Sequence, residues 1–228
     1  MTGAAERSAV FSDVDETLIR VKSMFRFLEF YLRTRGEPPA TYDRLTGELR
    51  AAALRGVPRA EINRRYYRLY RGERTQRLAQ AGRRWFTAEW QERTEGLYVP
   101  EVEEALGVHQ KSGQPLILVS GSFFACLDPI AEDVRADQVL GTRPAVRRGE
   151  LTGEVLAPMI GATKGRAVRI AAAVRGFDLA GSSAYGDHLS DVPMLEAVGR
   201  PVVVGDDEEL TAHALRAGWA RMLTGAPR

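Results

Sequence analysis

The stretch "AVFSDVDETLIR", residues 9–20, decides how the chain is read. A short apolar run ends in three acids within four positions, Asp13, Asp15 and Glu16, and Thr17 follows them. Crowded carboxylates repel one another, so the cluster calls for a counter-charge, a proton or open water. Residues 8–12 have the make-up of a short buried strand, and the acids stand where that strand ends. Taken alone, an acidic cluster after a strand is most often a turn or a helix cap. The rest of the chain decides between a turn, a metal site, and a nucleophile with its acid–base partner.

After Pro100 strand and helix patterns alternate. Residues 102–112 read as a helix, and "QPLILVSGS" (114–122) as a buried strand entering a turn of small residues. A helix over 124–132, a strand at "DQVLGT" (137–142) and a hairpin around Gly149 come next. Then follow a helix over 164–174, a strand at "SSAYGD" (182–187) and a helix over 192–198. "RPVVVGD" (200–206) is a further strand, and residues 210–217 form the last helix. Such alternation predicts an α/β fold, a Rossmann-like doubly wound and mostly parallel sheet with helices on both faces. Between residues 22 and 97 the spacing instead predicts four helices and no strand. The predicted division is a core of residues 1–20 and 98–228 and an all-helical insert of residues 21–97.

Composition narrows the class of protein. The chain has 228 residues, 44% hydrophobic and 27% charged, as soluble globular proteins do. No apolar run approaches the roughly 20 residues of a membrane helix, so no membrane partner is expected. The N-terminal residues lack the basic and apolar regions of a secretory signal, and one cysteine, Cys126, suits a reducing compartment. A cytoplasmic location is the resulting expectation. The net charge of +2 hides an asymmetry: the insert carries 17 Lys+Arg against 9 Asp+Glu, and 11 of the 18 aromatic residues. Aromatic residues at helical spacing form a core and arginines cover a solvated face in the plainer reading; a lid over a site is the functional one. No nucleic-acid motif accompanies the basic charge, and no nucleic-acid partner is expected.

Ligands of open parallel sheets bind beyond the carboxyl ends of the strands. The predicted strands end at Asp13-Val14-Asp15-Glu16-Thr17, at Ser120-Gly121-Ser122, at Gly186-Asp187 with Asp191 four residues on, and at the acidic loop "GDDEE". Lys164 stands outside any strand, at the first residue of a predicted helix. This set is chemically complete for phosphoryl transfer. Carboxylates supply the hard oxygen ligands that Mg²⁺ prefers. A hydroxyl, backbone N–H groups and an ammonium can neutralise phosphoryl oxygens. One carboxylate can attack phosphorus while a second moves the proton. Lysine is rare here, three against 29 arginines, which suggests a site at Lys164 that needs a compact charge.

"FSDVDETLI" resembles motif I, D-x-D-x-T, of the haloacid-dehalogenase-like (HAD) phosphatases. "LILVSGS" is similar to their motif II, Lys164 in "ATKGRA" to motif III, and "YGDHLSDVPML" to motif IV, G-D-x-x-x-D. The motifs follow the family's order. An all-helical insert between motifs I and II resembles the C1 cap of subfamily IB, in its phosphoserine-phosphatase-like branch. The resemblance implies Asp13 as nucleophile, Asp15 as general acid and base, and Lys164 between nucleophile and phosphate. It implies phosphate and substrate contacts from Thr17, Ser120, Gly121 and Lys22, and Mg²⁺ held by Asp13, the carbonyl of Asp15, Asp187 and Asp191. The implied activity is hydrolysis of a small phosphorylated metabolite through an aspartyl-phosphate. A phosphotransferase or mutase would use the same constellation, and a non-enzymatic phospho-acceptor module is the alternative from another class. Phosphoserine phosphatases carry a glutamate near position 22, where it pairs with the substrate ammonium. Lys22 would repel that ammonium, so free L-phosphoserine is expected to be a poor substrate. Glu16 and His188 receive no role.

Overall fold

The protein is described by a computed structural model covering residues 7–92 and 96–225. Its centre is a six-stranded sheet. The strands are β1 (Val10–Ser12), β2 (Leu116–Ser120), β3 (Gln138–Gly141), β6 (Ser183–Gly186), β7 (Arg200–Val204) and β8 (Ala220–Met222), in the order β3-β2-β1-β6-β7-β8. Every neighbouring pair is parallel. β1 occupies the middle, with Ser12 in register with Leu118 on one side and Tyr185 on the other. β1 and β2 are buried on both faces, which is why they read as unbroken apolar runs. The order reverses direction at β1, and the crevice beyond its end lies at a topological switch point.

Helices cover both faces: α5 (Pro100–Lys111), α6 (Phe124–Asp133), α7 (Ala162–Arg175), the short α8 (Val192–Leu195) and α9 (Glu208–Ala217). α5 begins on Pro100 with Glu101 and Glu103 in its first turn, and α7 ends on Gly176 in the left-handed conformation. The acidic loop after β7 is a helix cap: Asp207 accepts a hydrogen bond from the N–H of Leu210. The hairpin around Gly149 is β4 (Arg143–Arg147) against β5 (Glu150–Ala157) and forms a separate two-stranded sheet. One apolar cluster, with Phe11, Ile117, Val168 and Leu210, lies on one side of the sheet; the other includes Leu118 and Cys126 and runs on into the inserted helices.

The insert is four helices, α1 (Ser23–Thr34), α2 (Pro39–Leu54), α3 (Arg59–Arg68) and α4 (Thr75–Glu92); the expected continuation of the last to Arg93 lies outside the described residues. Its aromatic residues form a core. Phe27, Tyr31, Tyr66, Tyr67, Tyr70 and Trp85 pack on one another, and Phe123 enters among them from the start of α6. The arginines lie outside and pair with acids, as Arg44 does with Glu48. α4 crosses α6 so closely that a Cβ on Gly82 would stand 1.8 Å from the carbonyl oxygen of Ala125. Where the chain leaves and re-enters the sheet layer, the two passes are stitched together. Arg20 N donates to Leu97 O, Val99 N donates to Leu18 O, and Ile19 faces Tyr98 in an antiparallel bridge.

Candidate active site

The first acidic residue past β1 is fixed by the sheet itself, since Asp13 N donates to Tyr185 O on β6. Its side chain is buried, and Lys164 Nζ meets Asp13 Oδ1 at 2.6 Å and Asp191 Oδ1 at 2.5 Å. Lys164 lies in the first turn of α7, within the helix expected from residue 164, and Gly161 sets the helix start slightly earlier, at Ala162. A Cβ on Gly165 would stand 2.2 Å from the carbonyl oxygen of Pro193, so α7 packs directly on α8, close to Asp191. Gly186 has a similar part: a Cβ there would meet the Cβ of Asp191 at 2.7 Å. The glycine of G-D-x-x-x-D is thus a space requirement. Asp191 also closes its own loop by accepting from His188 N.

One oxygen from each of Asp13, Asp187 and Asp191 lies within 4.8 Å of the others. Three carboxylates face one ammonium. Burial chiefly, and then repulsion within the group against the pull of Lys164, raises the pKa of Asp13 from 3.8 to about 6. Asp187 is raised to about 8, again by burial first and by Asp13 and Asp191 after it. The neighbouring acids pull the Lys164 pKa up against its burial, so it keeps its proton. A site of hard oxygens with an excess of negative charge fits a divalent cation of the Mg²⁺ kind, which would relieve the crowding.

Asp15 stands apart from this cluster. Its pKa is raised to about 7 by burial, against hydrogen bonding from Ser23 at the start of α1, and its Oδ1 has no hydrogen-bond partner. A carboxyl group that holds a proton near neutrality and keeps one oxygen unengaged can donate and retrieve that proton. At the end of β2, Ser120 accepts from Ser122 N at 3.1 Å, which leaves its hydroxyl proton to be given elsewhere.

The structure brings Asp13, Asp15, Ser120, Gly121, Lys164, Asp187 and Asp191 around one pocket. Thr17, expected on the phosphate, is fully buried and donates to Asp187 Oδ1 at 2.9 Å; it orients a carboxylate. Glu16, which lacked a role, adopts a left-handed φ of 63° and reaches back to Lys22 Nζ at 3.1 Å. Lys22 does line the pocket mouth, with its charge already paired. The apolar wall comes from Met24, Phe25, Leu49 and Ile62 of the insert and Ile160 of the core.

Sequence reasoning missed four polar residues. Arg59 and His188 meet across the mouth, Nη1 to Nε2 at 2.6 Å. His188 Nδ1 accepts from Ser190 N, so a neutral ring carries its proton on Nε2, facing a guanidinium that can only donate. Burial and Arg59 lower the His188 pKa and favour that neutral ring. Asn63 and Tyr67 are the other two, and both donate to Gly121 O. For Asn63 a signal existed: with Tyr66 and Tyr67 it falls on one stripe of α3, and an amide on an otherwise aromatic stripe needs a partner.

Residues 10–196 match the haloacid dehalogenase-like hydrolase family, and the chain belongs to it. It is 37% identical over 123 residues to a probable phosphatase of Mycobacterium tuberculosis, across 54% of this chain and 43% of that protein. The match thus spans less than half the length of that relative. Among solved structures, a Bordetella pertussis Tohama I protein of unknown function superposes with a TM-score of 0.83 at 25% identity, over 96% of this chain and 99% of the other. A phosphoserine phosphatase captured as an analogue of its phospho-aspartyl intermediate superposes with a TM-score of 0.67 at 18% identity, over 96% and 93%. That likeness is one of fold. No helix among the described residues is long and apolar enough to cross a membrane.

Proposed function

We propose that the protein is a Mg²⁺-dependent phosphomonoesterase that works through an aspartyl-phosphate, with the helical insert as its cap. The observation that carries this reading is the pairing of two unlike carboxyls on one loop. Asp13 is held by Lys164, while Asp15, two residues on, has a raised pKa and an unengaged oxygen. Asp13 attacks phosphorus in line with the leaving oxygen, and Asp15 gives that oxygen its proton. Asp15 then takes a proton from water, which opens the acyl phosphate and restores Asp13. Ser120, the N–H of Gly121 and Lys164 hold the phosphoryl oxygens. Asp13, Asp187, Asp191 and the Asp15 carbonyl would hold Mg²⁺, whose charge offsets that of the phosphoryl group in the transition state.

The substrate we infer is a small phosphate ester whose leaving group joins an apolar body to an anionic substituent, and not free L-phosphoserine. Arg59 and His188 stand together at the mouth, and an anion beside the pair would accept from both. Lys22 and Arg59 outweigh Glu16 at the mouth, which disfavours an ammonium group. A panel of phosphorylated metabolites assayed with wild type and Asp13→Asn tests both parts. Turnover of anionic esters ahead of phosphoserine is expected, with a loss of about 10⁴-fold or more in Asp13→Asn. Full Mg²⁺-dependent activity in Asp13→Asn would overturn the mechanism, and phosphoserine as the best compound would overturn the substrate assignment.

A further inference from the structure

A single backbone carbonyl receives two of the three polar side chains that α3 buries; the third, Tyr66, donates to Met24 O instead. Gly121 O accepts from Asn63 Nδ2 at 2.9 Å and from Tyr67 Oη at 3.0 Å. Both donors are buried, Tyr67 completely. The amide orientation of Asn63 follows from chemistry, since the opposite one would set two oxygens face to face. Thr142 supports the pair from behind. Its hydroxyl accepts from Met159 N at 3.0 Å and so has its own proton to give, to Asn63 Oδ1 at 3.4 Å or to the Tyr67 oxygen.

Gly121 O and Ser122 N belong to one peptide unit and point in opposite directions. On the far side, Ser122 N donates to Ser120 Oγ. With that oxygen already accepting, the Ser120 hydroxyl is left as a donor toward the pocket. Two donors on the carbonyl polarise the peptide and strengthen the bond its N–H makes. The residue before this peptide is glycine, so little in the local backbone opposes turning it over. A turned peptide would aim its carbonyl oxygen toward Ser120, which would then donate to it, and the pocket would gain a negative dipole where phosphate must sit.

We propose that Asn63 and Tyr67 are positioning residues that lock the Gly121–Ser122 peptide, so that the seating of the insert switches on the core's grip on phosphate. The coupling rests on the reading of Ser120 as a phosphate ligand. Tyr67 does not line the pocket and has only the peptide to act through, whereas Asn63 lines it as well. When α3 lifts away the peptide loses both donors, and phosphate is released more easily from the open form.

Calorimetric titration of inorganic phosphate in the presence of Mg²⁺ tests this, with kcat, KM and thermal melting recorded alongside. The variants are Tyr67→Phe, Asn63→Leu, their double, and Ser120→Ala. A lost hydrogen bond of ordinary strength predicts about threefold weaker phosphate binding in each single variant. Either donor alone still holds the carbonyl, so the double is expected to exceed the product of the singles, at about thirtyfold. Tyr67→Phe keeps the ring in place and must show its threefold effect even if the double variant fails to fold. Phosphate affinity equal to wild type in Tyr67→Phe and Asn63→Leu, with Ser120→Ala weakened, overturns the proposal and leaves the site reading intact. So does a fall in melting temperature alone. Unchanged affinity in Ser120→Ala, or no phosphate binding by wild type, overturns the reading beneath it.

Discussion

The core and the insert both carry many charges, and they place them in opposite surroundings. At the ends of β1 and β6 the carboxylates of Asp13, Asp187 and Asp191 crowd together, and Asp13 and Asp191 share one buried ammonium. On the insert most arginine–glutamate pairs lie toward solvent around an aromatic centre, as Arg44 and Glu48 do with both side chains more than half exposed; the buried Glu89, held by Arg26, is an exception. Exposed pairs contribute little to stability, whereas buried ones are costly to break and costly to maintain. Most charge in the insert therefore serves its surface, whereas the crowded acids at the strand ends are held at the expense of stability.

The sharpest way to break this contrast is to remove the central cation. Lys164→Met leaves two buried carboxylates, Asp13 and Asp191, without their partner and should destabilise the metal-free fold by about 3–5 kcal/mol. Mg²⁺ should return part of that stability while turnover stays low. A denaturation midpoint within error of wild type would show that the acids are solvated after all.

Titration gives the next effect. Asp13 and Asp187 have folded pKa values of about 6 and about 8, above the 3.8 of an unperturbed aspartate. The native state therefore binds more protons than the unfolded chain between these limits. The stabilising contribution is complete below about pH 4 and is lost as pH rises past 6 and then 8. Melting of the metal-free protein should fall across that window and flatten when Mg²⁺ is added. Stability that rises with pH, metal-free, would contradict the crowding.

Under the proposed mechanism, titration of Asp15 separates the two steps of the reaction. With a pKa of about 7, Asp15 loses its proton on the alkaline side. Values of kcat/KM for an alkyl phosphate, whose leaving oxygen needs that proton, should decline above pH 7. Those for p-nitrophenyl phosphate, which leaves without help, should hold up further. Parallel profiles would remove Asp15 from the acid role. The smallest effect belongs to the insert: Arg44→Ala should change stability by no more than about 0.5 kcal/mol. A larger loss, measured by denaturant unfolding, would erase the distinction between the two regions.

Sequence legibility divides along the same line. The strand ends could be read because strands buried on both faces are unbroken apolar runs, and their polar endings stand out. The four helices of the insert were equally plain from spacing. β8 escaped notice because Ala220–Met222 is a short, largely exposed edge strand with no apolar run to mark it. At the site, the acids and Lys164 were visible as types and order. What escaped were contacts between distant elements: Thr17 to Asp187, Arg59 to His188, and Asn63 and Tyr67 to Gly121. None of these pairs is close in sequence, so no local spacing encodes it. Glu16 and Lys22 are only six apart, yet they meet because Glu16 takes a left-handed turn that its residue type does not announce.

The stitch between Ile19 and Tyr98 has a consequence for how such a protein can change. Because the departing and returning strands lie side by side, the sheet offers a socket with two adjacent splice points. Whatever is grafted there, long or short, needs only to begin and end a few ångströms apart, and loop-closure entropy grows slowly with the length between. The strand-end carboxylates would stay in register while the wall facing the leaving group was exchanged wholesale. New substrate ranges can then arise by exchange of a cassette, without piecemeal revision of the reaction centre.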